Sequence, residues 1–233
     1  MTALDTRKHI HCGLFWLEKL GLKQDKVACA KLQSRFTTTE PHSIPAHISS
    51  KVQTKFLRAR IRQFMRCEDF YNEQYEISYY RKLDIETAIK RATRGIIPYG
   101  TGLHSHFRHL EGNEAQFGSL SALQEKLLEI KDELSIADSF EGLFARISEI
   151  CNHVRGCGPL LAFDVALWVG AALNLFPTEV YLHQGAKEGA RLLGVADANI
   201  SRSVPLSALP TPLHDLPPYQ IETFLCWLAR MEK

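Results

Sequence analysis

Apolar residues recur along this chain at intervals of three and four, and alternation of period two is almost absent, so the pattern predicts an all-α, multi-helix globular protein. Ile10, Leu14, Leu17 and Leu20 form the stripe of a first helix ending near Gly21, and a second is expected over 26–36. The following Thr37–Pro45 segment reads as a loop, because its prolines and threonine run oppose helix. A long helix is predicted from Ser49 or Ser50 to about Phe70. Tyr75–Tyr80 is compatible with a strand, and Asp84 is placed to cap a helix reaching Arg94.

Three glycines and a proline between Gly95 and Gly102 end that regularity. They divide the chain into an N-terminal helical region, residues 1–102, and a C-terminal one, residues 103–233, which are either separate or parts of one continuous domain. Beyond the break, Ser119 or Ser121 is expected to cap a helix running to Leu134. After a turn at 135–138, Phe140, Leu143, Phe144, Ile147 and Ile150 make the next stripe. Five prolines between Pro205 and Pro218 predict an extended loop, with a terminal helix over Gln220–Met231.

Of the 233 residues 45% are hydrophobic and 23% charged, an ordinary globular balance that excludes disordered and fibrous classes. No apolar run reaches the roughly 20 residues of a membrane span, so no membrane partner is expected. The N-terminus lacks a basic segment leading into an apolar one. Six scattered cysteines without a Cys-x-x-Cys pair point to reduced thiols, and a cytosolic location is the resulting expectation.

Net charge is close to neutral, but its distribution is not. Lys51–Arg108 holds twelve cations against six acids, and His109–Ile150 holds nine acids against three cations. Lys51, Lys55, Arg58, Arg62 and Arg66 follow one another at spacings of four, three, four and four, which aligns them on one helical stripe with no carboxylate before Cys67. Such a stripe suits nucleic-acid phosphates, or the chain's own acidic 111–149 region.

Between Ile147 and Val169 two apolar helical patterns meet across Gly156-Cys157-Gly158, with Pro159 at the favoured first position of the second helix. Free amides there, with the helix dipole, favour a phosphate. Arg155 precedes the turn, and Lys187 and Arg191 lie on the next expected helix. The turn reads apolar-x-Gly-apolar-Gly-x-x-x-Ala at Val154–Ala162, and in this it resembles the helix-hairpin-helix DNA glycosylase superfamily over about residues 147–195. The resemblance implies a DNA-repair context and a carboxylate about twenty residues beyond the second glycine, where this chain has Glu179 in place of the family's aspartate. The position of the lyase-type lysine holds Leu160, so the chemistry implied is monofunctional, without a Schiff base.

Asp164, Tyr181 and His183 are the groups expected to join Glu179 in a catalytic pocket. Gly185 and Gly189, four apart, allow close helix packing. His104-x-His106-x-x-His109 gathers three imidazoles, but a helix would separate His104 from the other two, so no metal ligand set is expected there, nor at His9-Ile10-His11-Cys12. No cofactor is called for. Three functions follow: non-sequence-specific binding of nucleic acid, most naturally DNA; a monofunctional base-excision enzyme using Glu179; or a helical protein-interaction module that binds no nucleic acid.

Overall fold

In the computed structural model, residues 50–99, 102–104, 106–107, 114–196, 198 and 201–232 are described, with the side chains of 50–53 and 114–117 left aside. The two helices expected before residue 37 and His109 lie outside these residues. The described elements are α1 (Ser50–Phe64), α2 (Glu68–Tyr80), α3 (Ile85–Ala92), α4 (Glu114–Glu129), α5 (Lys131–Ser135), α6 (Phe140–Asn152), α7 (Pro159–Leu173), β1 (Glu179–Tyr181), α8 (Gln184–Leu192), β2 (Ser203–Pro205) and α9 (Pro218–Met231). Residues 47–231 form one compact unit, and the Gly95–Gly102 break falls inside it.

Helix α7 is the axis of this unit. Every residue from Ala162 to Ala171 is buried, Asp164 included, because α2, α3 and α6 all pack on it. Its entry is fixed by Gly158 in an extended conformation and by Pro159, and its exit by Asn174 in the left-handed region at φ 57°. Around it lies one apolar cluster, built from α2, α3, α4 and α6 together with Phe107. A second cluster joins α1, β1, α8, β2 and α9 around Phe64, Val180 and Phe224. No helix among the described residues is long and apolar enough to cross a membrane.

The helix-rich class matches the pattern of the sequence, and several boundaries differ. The long helix expected to Phe70 stops at Phe64, where amide bonds tighten to i→i−3 (Arg66 to Gln63, Cys67 to Phe64) before α2 begins. This turn lets the Phe70 ring meet Phe64 edge-on at 5.4 Å, and Phe64 also contacts Phe224 and Trp227. Tyr75–Tyr80 is helical, since Phe70, Ile77 and Tyr80 then fall on one buried face. The helix after residue 113 begins at Glu114, upstream of Ser119, and is interrupted at Ile130.

Asp84 caps α3 as expected, accepting from the Thr87 amide at 2.9 Å, and Ser139 caps α6. Tyr181 ends a strand instead of opening a helix: β1 pairs antiparallel with β2, Tyr181 opposite Ser203, and α8 starts three residues later. The proline-rich 205–218 stretch includes two 3-10 turns, Leu206–Ala208 and Thr211–Asp215. Gly185 and Gly189 are where α8 packs closely on α9; a Cβ at Gly189 would run into the carbonyl group of Leu225.

Candidate functional site

Helix α2 carries a carboxylate into the core. Glu76 is only 6% exposed and shares the inner side of the helix with Ile77 and Tyr80. Its carboxylate accepts from the Tyr99 hydroxyl and from the Trp168 indole Nε1, the latter at 3.1 Å. The Trp168 ring is held by Tyr80, stacked at 5.3 Å with the two ring planes nearly parallel, and the Tyr80 hydroxyl donates to the Ile96 carbonyl. Burial outweighs the two donors and pushes the Glu76 carboxyl up to about 7.

The turn after the glycine-rich break delivers two histidines to the same place. Gly95 and Gly102 take positive φ, and Ile96 bridges to Leu103, which turns the chain back over Trp168. A His104 ring nitrogen stands 4.0 Å from the Glu76 carboxylate, and the ring meets Trp168 edge-on at 5.3 Å. His106 Nδ1 lies 2.8 Å from Asp164 Oδ2. Burial works against protonation of His106, and the Asp164 hydrogen bond and charge more than offset it, so its pKa stands above the ordinary imidazole value. Asp164 is 8% exposed and is the only charged residue of α7. His104, His106 and Asp164 each present a ligand atom, all within 4.8 Å of one another.

A second polar group adjoins α9. Glu73, one turn before Glu76, accepts from the Thr223 hydroxyl at 2.6 Å, while its other oxygen is buried with no hydrogen-bond partner among the described residues. Burial, with Glu222, Glu76 and Asp69 adding to it, raises its pKa well above the carboxylate range. Glu222 in turn meets His183 Nδ1 at 3.4 Å and the Cys226 thiol at 3.4 Å.

The groups expected from the sequence are distributed around Phe163 and its neighbour Asp164. Tyr181 and His183 both pack on the Phe163 ring, at 5.2 and 4.9 Å. Burial, with the charges of Glu141 and Glu179, pushes the Tyr181 hydroxyl to about 12. Glu179 lies on the same face of β1, where its carboxylate accepts from Ser203 across the strand pair at 2.6 Å. Asp164 turns to His106, a partner 58 residues away that the sequence pattern does not link to it.

Arg155, Gly156 and Gly158 are exposed in the connection between α6 and α7, and Gly156 has φ 87°. Of the two free cysteines that flank it, Cys151 is buried and Cys157 half-buried. Lys187 is half-buried, and Arg191 is ion-paired with Glu188 at 2.6 Å. Lys55, Arg58 and Arg62 are exposed on α1, Arg66 is exposed in the turn after it, and the Lys51 side chain lies outside the described residues. None of the four described cations forms an ion pair with a described residue. In the acidic region, Glu133 and Glu149 pair with Arg146.

Glu76, Tyr99, Trp168 and the pairing of His106 with Asp164 are not evident in the sequence pattern. The available signals are a single aspartate in an otherwise apolar helix and a glutamate beside a buried stripe. The chain matches no family model, no curated protein and no solved structure.

Proposed function

We propose that this protein binds the phosphate backbone of nucleic acid, DNA in the first instance, without reading sequence. The observation that carries the proposal is the outer face of α1 with its following turn, where Lys55, Arg58, Arg62 and Arg66 face solvent without a described ionic partner. At 100° per residue, Lys55, Arg58 and Arg62 span only about 60° of the helix circumference, so their charges project together. Leu57, Ile61 and Phe64 anchor the opposite side in the core. Three like charges so aligned repel one another, and phosphates relieve that repulsion with release of counterions. The exposed Arg155, Gly156 and Gly158 offer a second contact for a phosphate at the start of α7, in line with the glycosylase-like character of that segment.

The test is fluorescence anisotropy of single- and double-stranded DNA at two salt concentrations. Wild type is expected to bind more weakly at high salt, and the Lys55→Ala/Arg58→Ala/Arg62→Ala variant to bind at least tenfold more weakly than wild type at low salt. Absence of binding by folded wild type, or equal binding by the variant, overturns the proposal and leaves the interaction module.

A second reading, an enzyme that excises a base from DNA, is favoured by the burial of Glu76 and Asp164 beside His106, a costly arrangement for a protein that only binds. Its carboxylate is Glu179 from the spacing in the sequence and Asp164 from burial. Base release from damaged duplexes, compared between Glu179→Gln and Asp164→Asn, separates the two; activity unaffected by either variant sinks this reading.

A further inference from the structure

We infer that His104, His106 and Asp164 form a binding site for one divalent first-row transition cation of the zinc class. This site is independent of nucleic-acid binding and would stand if that reading failed.

Two imidazoles and one carboxylate are the mixed nitrogen and oxygen ligands that zinc and its neighbours accept, and three protein ligands leave a further position open. They come from two segments, the 102–107 turn and the middle of α7, and their ligand atoms lie within 4.8 Å of one another. Around a tetrahedral ion with bonds of about 2.0–2.2 Å, ligand atoms are about 3.3–3.6 Å apart. The His106–Asp164 pair at 2.8 Å must therefore open by about half an ångström, and the wider pairs must close. Both histidines sit on a turn, outside regular α-helix, where such an adjustment leaves helical hydrogen bonds intact.

The surroundings fit as well. Glu76, held in place by Tyr99 and Trp168, stands 4.0 Å from a His104 ring nitrogen and adds a further carboxylate beside the ligand set. The Trp168 and Phe107 rings wall the site from below. The His106 side chain is 43% exposed while that of Asp164 is 11% exposed, so the ion has a path in past His106 to a carboxylate that is otherwise screened from water. A hydrogen-bonded His–Asp pair alone would account for neither the second imidazole nor the carboxylate beside it.

The test is isothermal titration of Zn²⁺ into the full chain after chelator treatment, with Co²⁺ as a spectroscopic substitute. One Zn²⁺ per chain is expected, with affinity reduced at least tenfold by His106→Gln and by Asp164→Asn and unchanged by His9→Ala/His11→Ala. Co²⁺ is expected to give visible ligand-field absorption without a thiolate charge-transfer band. No binding by folded wild type, unchanged affinity in folded His106→Gln and Asp164→Asn, or loss of binding in the His9/His11 variant overturns the inference. If the buried Asp164 variant fails to fold, the Co²⁺ spectrum of wild type decides, because a thiolate band would place the ion on the cysteines instead.

Discussion

His106 Nδ1 and Asp164 Oδ2 meet at 2.8 Å across 58 residues of sequence, tying the turn that follows the glycine-rich break to the middle of the most buried helix. Their coupling is measurable without metal. In the presence of chelator, His106→Ala and Asp164→Ala are each expected to cost about 1–3 kcal/mol, since either leaves a part-buried polar group without its partner. The double variant should cost less than the sum of the two by about 0.5–2 kcal/mol. Urea unfolding of the four proteins measures the cycle, and strict additivity would mean that the pair contributes nothing.

Glu73 predicts an unusual pH dependence. Its folded pKa is raised by burial, reinforced by Glu222 from α9 and by Glu76 and Asp69 from its own helix, whereas in the unfolded chain it titrates near about 4.3. The folded state then holds this proton more tightly than the unfolded one. The contribution to stability is fully present below the unfolded value and is lost as pH rises through the folded value. Glu76 shifts the same way, so the wild-type slope contains both groups. Glu73→Gln, which keeps a group able to accept from Thr223, is expected to flatten the fall in stability above pH 5 and to exceed wild type in stability at pH 8. Chemical denaturation from pH 4.5 to 8.5 measures this, and parallel curves would show Glu73 to be ionised when folded.

Much of the fold is legible in the sequence because helical periodicity survives wherever one face of a helix is buried. Phe140, Leu143 and Ile147 mark α6 in this way, and Asp84 and Ser139 mark helix starts through side-chain chemistry that acts over three residues. Helix α7 is apolar all round, so periodicity says nothing about which neighbours cover it. The break at 65–67 is set by packing of Phe70 on Phe64, a tertiary preference, although Glu68 and Asp69 mark a helix start through the dipole. The candidate site is the least legible part: Glu76, the His104 and His106 pair, and Asp164 come from three segments distant in sequence, and only the turn over Trp168 joins them. A single helix over His104–His109 would separate the histidines; in the turn, His104 and His106 approach each other at 4.5 Å between ring centroids.

Two helix glycines should respond in opposite directions to the same substitution. Gly189→Ala drives a methyl group into the Leu225 carbonyl where α8 meets α9, and backbone on that side has no free rotamer to yield. A loss of about 1–3 kcal/mol is expected. Gly118 in α4 is exposed and has open space around it, so Gly118→Ala should stabilise by about 0.5–1 kcal/mol through the lower flexibility of the unfolded chain. Thermal unfolding of both variants is sufficient, and a Gly189→Ala protein as stable as wild type would contradict the close approach of the two helices.

The connection between α6 and α7 and the face of α1 can be separated by salt dependence. Gly158 has an extended backbone, and a Cβ at this position would meet nothing within 4 Å, so Gly158→Val is expected to fold like wild type, whereas Gly156→Val, at φ 87°, adds backbone strain. A valine at Gly158 covers the amides at the start of α7 without changing any charge. It should therefore weaken DNA binding while leaving the slope of log affinity against log salt nearly unaltered. Removing Lys55, Arg58 and Arg62 should instead lower the magnitude of that slope by about one for each phosphate no longer neutralised, uniformly across sequences. Equal slopes for wild type and the triple variant would place the DNA-binding surface away from α1, and a Gly158→Val protein that binds as tightly as wild type would make the exposed connection a joint between helices with no part in binding.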